Sequence, residues 1–477
     1  MNLLNKHLSF KTDLFMTFLN GLIVIGGVFF LNGLIARIHG LEILGEFLLV
    51  KRTLSSIVGI LLIGMNIGLP NYLSKDFDKR FGDNALVLFC FITIPLTVFF
   101  LSCIIWINTT GFDSNYLWIY VIFSLGISAQ FMTYALYRGY LNMIGANIFQ
   151  LLGTAIIPII VFTMVFNLYD AMLFIGAIVF LLMIVGFLYR NKGLNFSDIK
   201  FHYSKKLINY GLKRIVSFGS QFVLLAGIPI YIAQSINFES VAYFNSSFSL
   251  VRLSLLIVNP IGMVLLPRIS QKIASNKLDD VTNILKIFLQ AGFIISLMVT
   301  ALCYMNAPLI LIIWLGEVND TGIFILRIAI LALPFYTFSG IARSPIDAIS
   351  EKGYNSFIYG LAALTMVLIM IIGKIYDINM LTTALTSFLI SYIVASLGNY
   401  YILRKYFKYN FIDFKLIRDS FLSVLIIIST IQLVSYSEMT KGSQFLLTNS
   451  IFITFGIIFF KYIKTGWVAE LKTKLYG

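Results

Sequence analysis

Hydrophobic runs of about twenty residues alternate with short polar segments along the whole chain. A run of that length is what an α-helix needs to cross the hydrocarbon core of a bilayer. The pattern therefore predicts an all-α polytopic membrane protein with about fourteen transmembrane helices. The predicted spans are residues 13–36, 44–68, 84–107, 116–137, 145–166, 170–189, 214–236, 241–266, 284–305, 322–342, 354–373, 380–403, 416–436 and 446–463.

Two parts of the chain resemble each other. Residues 35–75 align without a gap on residues 232–272, and the matches include Glu42 with Glu239 and a shared Leu-Pro pair. Because internal repeats are common in transporters, the alignment predicts two related six-helix halves. The alternative is a similarity between two unrelated hydrophobic hairpins. The predicted divisions are an N-terminal six-helix half at 1–190, a cytoplasmic linker at 191–213, a C-terminal six-helix half at 214–404, and two additional helices with a cytoplasmic tail at 405–477.

The eighth predicted span carries a stripe of polar residues. Asn245, Arg252 and Asn259 repeat every seven residues, with Ser249 on the same side. Seven residues make almost two helical turns, so these side chains share one face. An arginine in the hydrocarbon costs at least about 2.5 to 3.5 kcal/mol unless it faces protein or water. The stripe therefore predicts a wet, cationic interior.

The second span, which the repeat pairs with the eighth, also carries cations. Lys51 and Arg52 lie in it, and Asn66 shares a broad face with Arg52. A guanidinium binds phosphate through two parallel hydrogen bonds and keeps its charge when desolvated. We therefore expect an anion-binding cavity between the halves, with Arg327 of the tenth span as a further candidate. The alternative is that these cations pair with Glu46 or with carbonyl groups at helix ends.

Neutral polar and aromatic residues in other spans could contact a sugar. Gln130 and Tyr134 lie in the fourth span, where an aromatic ring could stack on a sugar and an amide could bind its hydroxyl groups. The alternative is that such residues form interfacial aromatic belts and hydrogen bonds between helices.

Composition and charge narrow the class of protein to which the chain can belong. The chain has 477 residues, of which 59% are hydrophobic and 12% charged, which excludes a soluble protein. Most of the basic residues behind the net charge of +14 lie in alternate connections, so the positive-inside rule places both termini in the cytoplasm and gives no reason to expect nucleic-acid binding. The first apolar run is too long for a cleavable signal peptide. Scattered cysteines and histidines predict neither a disulfide nor a metal site.

The chain lacks a Walker A motif, HExxH, GxSxG and a large outer loop with paired acids, so an enzyme or an ATP-driven pump is not expected. It resembles the multidrug/oligosaccharidyl-lipid/polysaccharide exporter superfamily, and within it the bacterial O-antigen (Wzx-type) polysaccharide flippases. The resemblance lies in the stretches IARIHGLEILGEF, NIGLPNYLSK, YGLKRIVSFGSQ, LLPRISQK and APLILIIWLG.

This resemblance implies a V-shaped bundle with a central cationic cavity in the bacterial cytoplasmic (inner) membrane. Its members move an undecaprenyl-pyrophosphate-linked oligosaccharide from the inner to the outer leaflet by alternating access. The implied coupling is to a Na⁺ or H⁺ gradient, without a further cofactor. A polysaccharide polymerase and a chain-length regulator are the implied protein partners.

In the related lipid II flippases, essential arginines come from the first, second and eighth helices. Arg52 and Arg252 match the last two, whereas the first helix here has no central cation. The resemblance thus implies that Arg52 and Arg252 bind pyrophosphate, with Lys51 and Arg327 as additional candidates. The alternative function is a multidrug or cation antiporter of the same fold. The absence of a carboxylate deep in any span weighs against it.

Overall fold

The computed structural model describes residues 10–107, 112–254, 278–349 and 353–411, together with residues 418, 422 and 450. The regular elements in these ranges are helices joined by short turns. Ten of the described helices or helix runs are long and apolar enough to cross a membrane, and a bent pair makes an eleventh candidate. The protein is therefore an all-α polytopic membrane protein, as the hydropathy pattern predicts. The last two predicted spans, 416–436 and 446–463, fall almost wholly outside the described residues.

Up to Arg190, the described residues form nine α-helices, two π-helical turns and a short 3₁₀ turn at Ser114–Tyr116. The α-helices and π turns are α1 (Phe10–His39), α2 (Leu41–Leu61), α3 (Met65–Asp76), α4 (Arg80–Leu88), a π turn (Phe89–Thr93), α5 (Ile94–Ile107), α6 (Leu117–Gly139), α7 (Met143–Leu151), a π turn (Leu152–Ile156), α8 (Ile157–Met164) and α9 (Leu168–Arg190).

The remaining described α-helices begin with α10 (Phe201–Leu212), which lies within the predicted linker. It is followed by α11 (Ile215–Ser235), α12 (Phe238–Arg252), α13 (Leu278–Met305), α14 (Ala307–Leu315), α15 (Asp320–Ile330), α16 (Leu333–Ile349), α17 (Tyr354–Ile375) and α18 (Met380–Phe407).

The second predicted span, 44–68, is not one continuous helix. The chain bends by 51° between α2 and α3. Ile63 and Gly64 take left-handed backbone angles there, with φ of 44° and 69°. The break frees backbone groups inside the bundle, and the Thr93 hydroxyl donates to the Leu61 carbonyl at 3.1 Å. Hydropathy does not detect such a break, because residues 61–65 are all apolar or small.

The eighth predicted span, 241–266, also differs from a continuous helix. Asn237 caps α12 by accepting a hydrogen bond from the Ser240 amide at 2.8 Å. Regular α-helix ends at Arg252, so this arginine occupies the last turn and not the middle of an uninterrupted rod. Asn259 lies outside the described residues.

The chain divides into two compact units. In the first, α6 packs along α9, and α2 packs along α11. In the second, α13 packs against α16, and the Gln290 amide donates to the Phe411 carbonyl at 3.3 Å. The predicted division into six-helix halves stays a prediction. The first unit comprises Met1–Ser249, Leu311–Ile325 and Tyr359–Ser391, and the second comprises Leu250–Ile310, Leu326–Ile358 and Tyr392–Gly477.

Candidate functional site

Arg52 connects two helices of the first unit. Its side chain is half-buried and reaches from α2 to α12. Its Nε donates to Oδ1 of Asn245 at 3.2 Å, and its guanidinium carbon lies 4.9 Å from the ring centre of Phe248. A cation over an aromatic face gains about 0.5 to 2 kcal/mol, depending on desolvation. Two residues one helical turn apart on α12 therefore hold the guanidinium.

Asn245 offers more than a contact to Arg52. Its side chain is wholly buried, and its amide nitrogen Nδ2 has no hydrogen-bond partner within the described ranges. A buried donor without a partner costs about 1 to 3 kcal/mol. Ser249, one turn further along α12, donates to the Asn245 backbone carbonyl at 2.8 Å. A donor left open beside an arginine is suited to bind an anion.

A close crossing of α2 and α12 fixes their relative register. A Cβ atom at Gly45 would lie 2.6 Å from the Phe238 carbonyl carbon and 3.2 Å from the Ala242 nitrogen, so only glycine fits. Gly45 and Ala242 are equivalent positions in the internal alignment, and the two helices begin at the equivalent residues Leu41 and Phe238. The two aligned segments thus meet at matching small residues.

Aromatic packing also fixes α12 against Phe388 of α18. The rings of Phe244 and Phe248 both meet Phe388 edge-on, with centroids 5.2 Å and 5.1 Å apart. All three side chains are fully or almost fully buried. Because one face of α12 is fixed by these rings, Asn245 is directed toward Arg52.

The other candidates of the second span, Lys51 and Asn66, have different contacts from those of Arg52. Lys51 places its ammonium 5.4 Å from the ring centre of Phe47. Asn66 lies in α3, beyond the break, and its Oδ1 is buried with no partner among the described residues. Glu46, considered above as a partner for these cations, accepts a hydrogen bond from the Tyr169 hydroxyl.

Gln130 connects helices. Its amide donates to the Gln150 carbonyl at 3.2 Å and to the Thr154 hydroxyl at 2.8 Å. The Gln150 side chain in turn accepts from Asn20 of α1 at 3.1 Å. The guanidinium of Arg138 lies 5.6 Å from the ring of Tyr134. The Gln130 amide is thus engaged in the inter-helix bonding that the sequence left as its alternative interpretation.

The other two candidate arginines, Arg252 and Arg327, differ in burial and in their contacts. Arg252, the last residue of α12, is exposed. Arg327 is half-buried, donates from Nε to the Tyr304 carbonyl at 3.3 Å and lies 5.2 Å from the Tyr304 ring. The structure thus brings Arg52 and Asn245 together, with Ser249 supporting Asn245. The roles of all the candidate residues in binding stay predictions.

Two contributors to this site were not found from the sequence. Phe248 stacks on Arg52, yet it is one of 44 phenylalanines and no local pattern distinguishes it. Gly45 sets the helix crossing, and its alignment with Ala242 in the internal repeat is the signal that could have identified it.

No family model and no curated protein matches the sequence. Solved structures do match. The lipid II flippase MurJ in its inward closed conformation aligns with a TM-score of 0.68 at 16% identity, covering 94% of this chain and 99% of that one. An inward-facing multidrug resistance transporter of the MATE family gives 0.66 at 15% identity, covering 82% and 94%.

A third structure, a MOP superfamily transporter from Pyrococcus furiosus described as having a binding pocket of reverse polarity, aligns with a TM-score of 0.59 at 15% identity, covering 85% and 97%. The chain therefore has the fold of MOP-superfamily transporters. The named neighbours are a flippase and two transporters.

Proposed function

We propose that the protein is a flippase that moves an undecaprenyl-pyrophosphate-linked oligosaccharide, an O-antigen unit or a related surface-polysaccharide repeat, from the inner to the outer leaflet. The observation that carries the proposal is the paired cation and open donor at Arg52 and Asn245. A pyrophosphate and a polar glycan are too costly to pull through hydrocarbon unaided. Fixed cationic and amide donors inside the bundle lower that cost, while the polyprenyl tail stays in lipid.

In the proposed mechanism, Arg52 binds a phosphate oxygen and the Nδ2 group of Asn245 donates to the same group. Arg252 and Asn259 are further proposed ligands, with Lys51 and Arg327 as additional cations. Alternating access then carries the head group across, driven by a Na⁺ or H⁺ gradient. The fold similarity to a lipid II flippase supports this substrate class. A polysaccharide polymerase and a chain-length regulator are the proposed partners in the bacterial inner membrane.

The function is tested by expressing the protein in bacterial strains that each lack one glycan flippase and blotting for surface polysaccharide. Rescue in one strain is the expected result, and it also narrows the glycan. Failure in every strain, with the protein stably inserted, would contradict flipping of any of the glycans tested.

The site is tested by Arg52→Ala, which we expect to abolish rescue at unchanged protein level. Arg52→Lys keeps the charge but loses the two-pronged geometry, so it should retain only part of the activity. Arg404→Ala removes an exposed arginine from the last turn of α18 and serves as the matched control. Normal rescue by Arg52→Ala would refute the assignment of pyrophosphate binding to this residue.

One observation favours the alternative of a cation or multidrug antiporter. Glu46 is a half-buried carboxylate within α2 and is hydrogen-bonded to Tyr169. An ionisable residue within a membrane span often marks an ion pathway. If overexpression raised drug tolerance and Glu46→Gln removed that effect, the antiporter would be the better assignment.

A further inference from the structure

The linker between α9 and α11 contains a helix with three distinct faces. The first face of α10 packs on the protein. Leu207 and Gly211 are buried, and Tyr210 contacts Gly68 of α3. Tyr203 meets the ring of Phe81 edge-on at 4.9 Å. This face fixes α10 against α3 and α4.

The second face is apolar and open. Phe201, Ile208 and Leu212 recur at spacings of seven and four residues, which aligns them along one side of the helix. Phe201 is 78% exposed and Leu212 is 51% exposed. Phe196, just before the helix, is also 78% exposed. Large apolar side chains are thus presented outward next to one another.

The third face is polar and basic. It adjoins the apolar band and consists of His202, Lys206, Asn209 and Lys213, all of them exposed. Lys200 and Lys205 are exposed as well. An amphipathic helix with a basic edge beside its apolar band is typical of helices that lie in the membrane interface.

The position of α10 identifies what covers the apolar band. The helix lies between the end of the span Leu168–Arg190 and the start of the span Ile215–Ser235, so both of its ends are tied to the membrane surface. The positive-inside rule predicts that this surface is cytoplasmic. The adjacent surface is therefore the headgroup region of the inner leaflet.

The charge around α10 selects the kind of lipid. From Arg190 to Arg214 the sequence contains seven basic residues and a single carboxylate, Asp198. Nearby, Arg80 pairs with Asp78 at 2.8 Å and holds the pKa of that carboxyl below its usual range. Among the described residues, no ion pair with a carboxylate involves the four exposed lysines Lys200, Lys205, Lys206 and Lys213. This positive charge complements anionic headgroups.

We propose that α10 is an anionic-phospholipid-binding element, which inserts Phe201, Ile208 and Leu212 into the inner leaflet and binds headgroups through Lys200, Lys205, Lys206 and Lys213. Its buried face places the lipid next to the break in the second span. A Cβ at Gly211 would overlap the Ile63 carbonyl, and one at Gly64 would lie 2.6 Å from the Gly211 Cα. A lipid bound to α10 would therefore act on a helix that directly contacts the break between α2 and α3. Any effect on transport rests on the proposed function, whereas lipid binding itself does not.

The test places a bimane fluorophore on a cysteine at position 201 or 212 of the purified full chain, reconstituted in vesicles with brominated phosphatidylglycerol or brominated phosphatidylcholine. We expect quenching by both lipids and stronger quenching by phosphatidylglycerol. A label at position 206 should be quenched less by either lipid and more by iodide in the water. The background for labelling replaces the native thiols Cys90, Cys103 and Cys303.

Replacing a single lysine such as Lys206 with glutamine should lower the preference for phosphatidylglycerol by up to about fivefold. Replacing all four should abolish the preference while leaving quenching by phosphatidylcholine. The double variant Arg404→Gln and Lys405→Gln, which neutralises basic residues at the end of α18, is the matched control and should change nothing at position 201.

Equal quenching by the two lipids would refute anionic selectivity, and absence of quenching at both 201 and 212 would refute insertion. Because this readout needs no transport, its failure is distinguishable from failure of the flippase assignment. A protein that binds phosphatidylglycerol at α10 but rescues no flippase-deficient strain would retain the present proposal and lose only the flippase assignment.

Discussion

Gly45→Ala tests whether the crossing of α2 and α12 positions the candidate anion site. The added Cβ would lie 2.6 Å from the Phe238 carbonyl carbon. Carbon atoms pack best at about 3.5 to 4.0 Å, so the helices must separate by about 1 Å or more. The obstacle is backbone, which cannot rotate away as a side chain can. Overpacking of this kind costs about 1 to 3 kcal/mol, and the alanine's better helix propensity offsets only about 0.5 to 1 kcal/mol of it.

The same separation acts on the site. The Arg52–Asn245 hydrogen bond is already 3.2 Å long, so a displacement of that size breaks it. We therefore expect Gly45→Ala to lower the melting temperature in detergent by several degrees and to reduce rescue of a flippase-deficient strain. Thermal unfolding is followed by size-exclusion chromatography of heated samples, with protein level in membranes measured alongside.

Gly26→Ala is the matched control, because nothing lies within 4 Å of the added methyl group and the residue is also in a helix. It should be neutral or stabilise by about 0.5 to 1 kcal/mol. If Gly45→Ala had the same melting temperature as the parent protein, the close contact between α2 and α12 at Gly45 would be refuted. If its melting temperature were lower but its activity were unchanged, the close contact would be confirmed, and its role in positioning Arg52 would be refuted.

Three further substitutions test individual contacts in the first unit. Gly211→Ala should destabilise by about 1 to 3 kcal/mol, because its Cβ would overlap backbone at the break between α2 and α3; a melting temperature unchanged from the parent would contradict this. Trp314→Phe should lower the free energy of unfolding by about 1 kcal/mol, because it loses the indole hydrogen bond to the Phe29 carbonyl at 2.8 Å but keeps most of the ring stacking. If Trp314→Phe destabilised the protein as much as Trp314→Ala, the contribution would come from packing and not from the hydrogen bond. Thr93→Val keeps the shape of the side chain but removes the hydroxyl that donates to the Leu61 carbonyl. We therefore expect the free energy of unfolding to fall by about 1 to 3 kcal/mol in the same melting assay. An unchanged stability would mean that the Leu61 carbonyl has another hydrogen-bond donor.

Most of the architecture was accessible from the sequence, because the requirement for about twenty apolar residues per span is local. The predicted span 170–189, for example, corresponds to α9 at Leu168–Arg190, and 380–403 lies within α18 at Met380–Phe407. The break at Ile63 and Gly64 was missed, since it changes backbone angles and not hydropathy.

The sequence predicted some members of the candidate site but not its geometry. Arg52 and Asn245 both stand out as polar residues in apolar spans, whereas their hydrogen bond depends on the helix crossing at Gly45. Gln130 looked like a cavity residue for the same reason, and its bonds to α7 and the following π turn could not be read from one helix alone. Sequence reveals that a buried polar group needs a partner; tertiary packing decides whether the partner is a neighbouring helix or a ligand.

The break between α2 and α3 lies in contact with the helix that follows α9 and with α11. It is packed from three directions: the Thr93 hydroxyl bonds its carbonyl, Gly211 of α10 contacts its backbone, and the Phe218 ring of α11 lies against Gly59 and Gly64. A loose hinge would lack such contacts, so the bend is a defined joint and not a flexible one. Any movement of α3 relative to α2 must therefore also move α10 or α11. Because α2 carries Arg52 and α10 is the proposed lipid-binding helix, a change of lipid at α10 and a change of occupancy at Arg52 would act on opposite sides of the same joint. A reciprocal effect of phosphatidylglycerol on binding of a soluble polyprenyl pyrophosphate analogue, removed by neutralising the α10 lysines, is the consequence that thermodynamic linkage requires if the joint couples them.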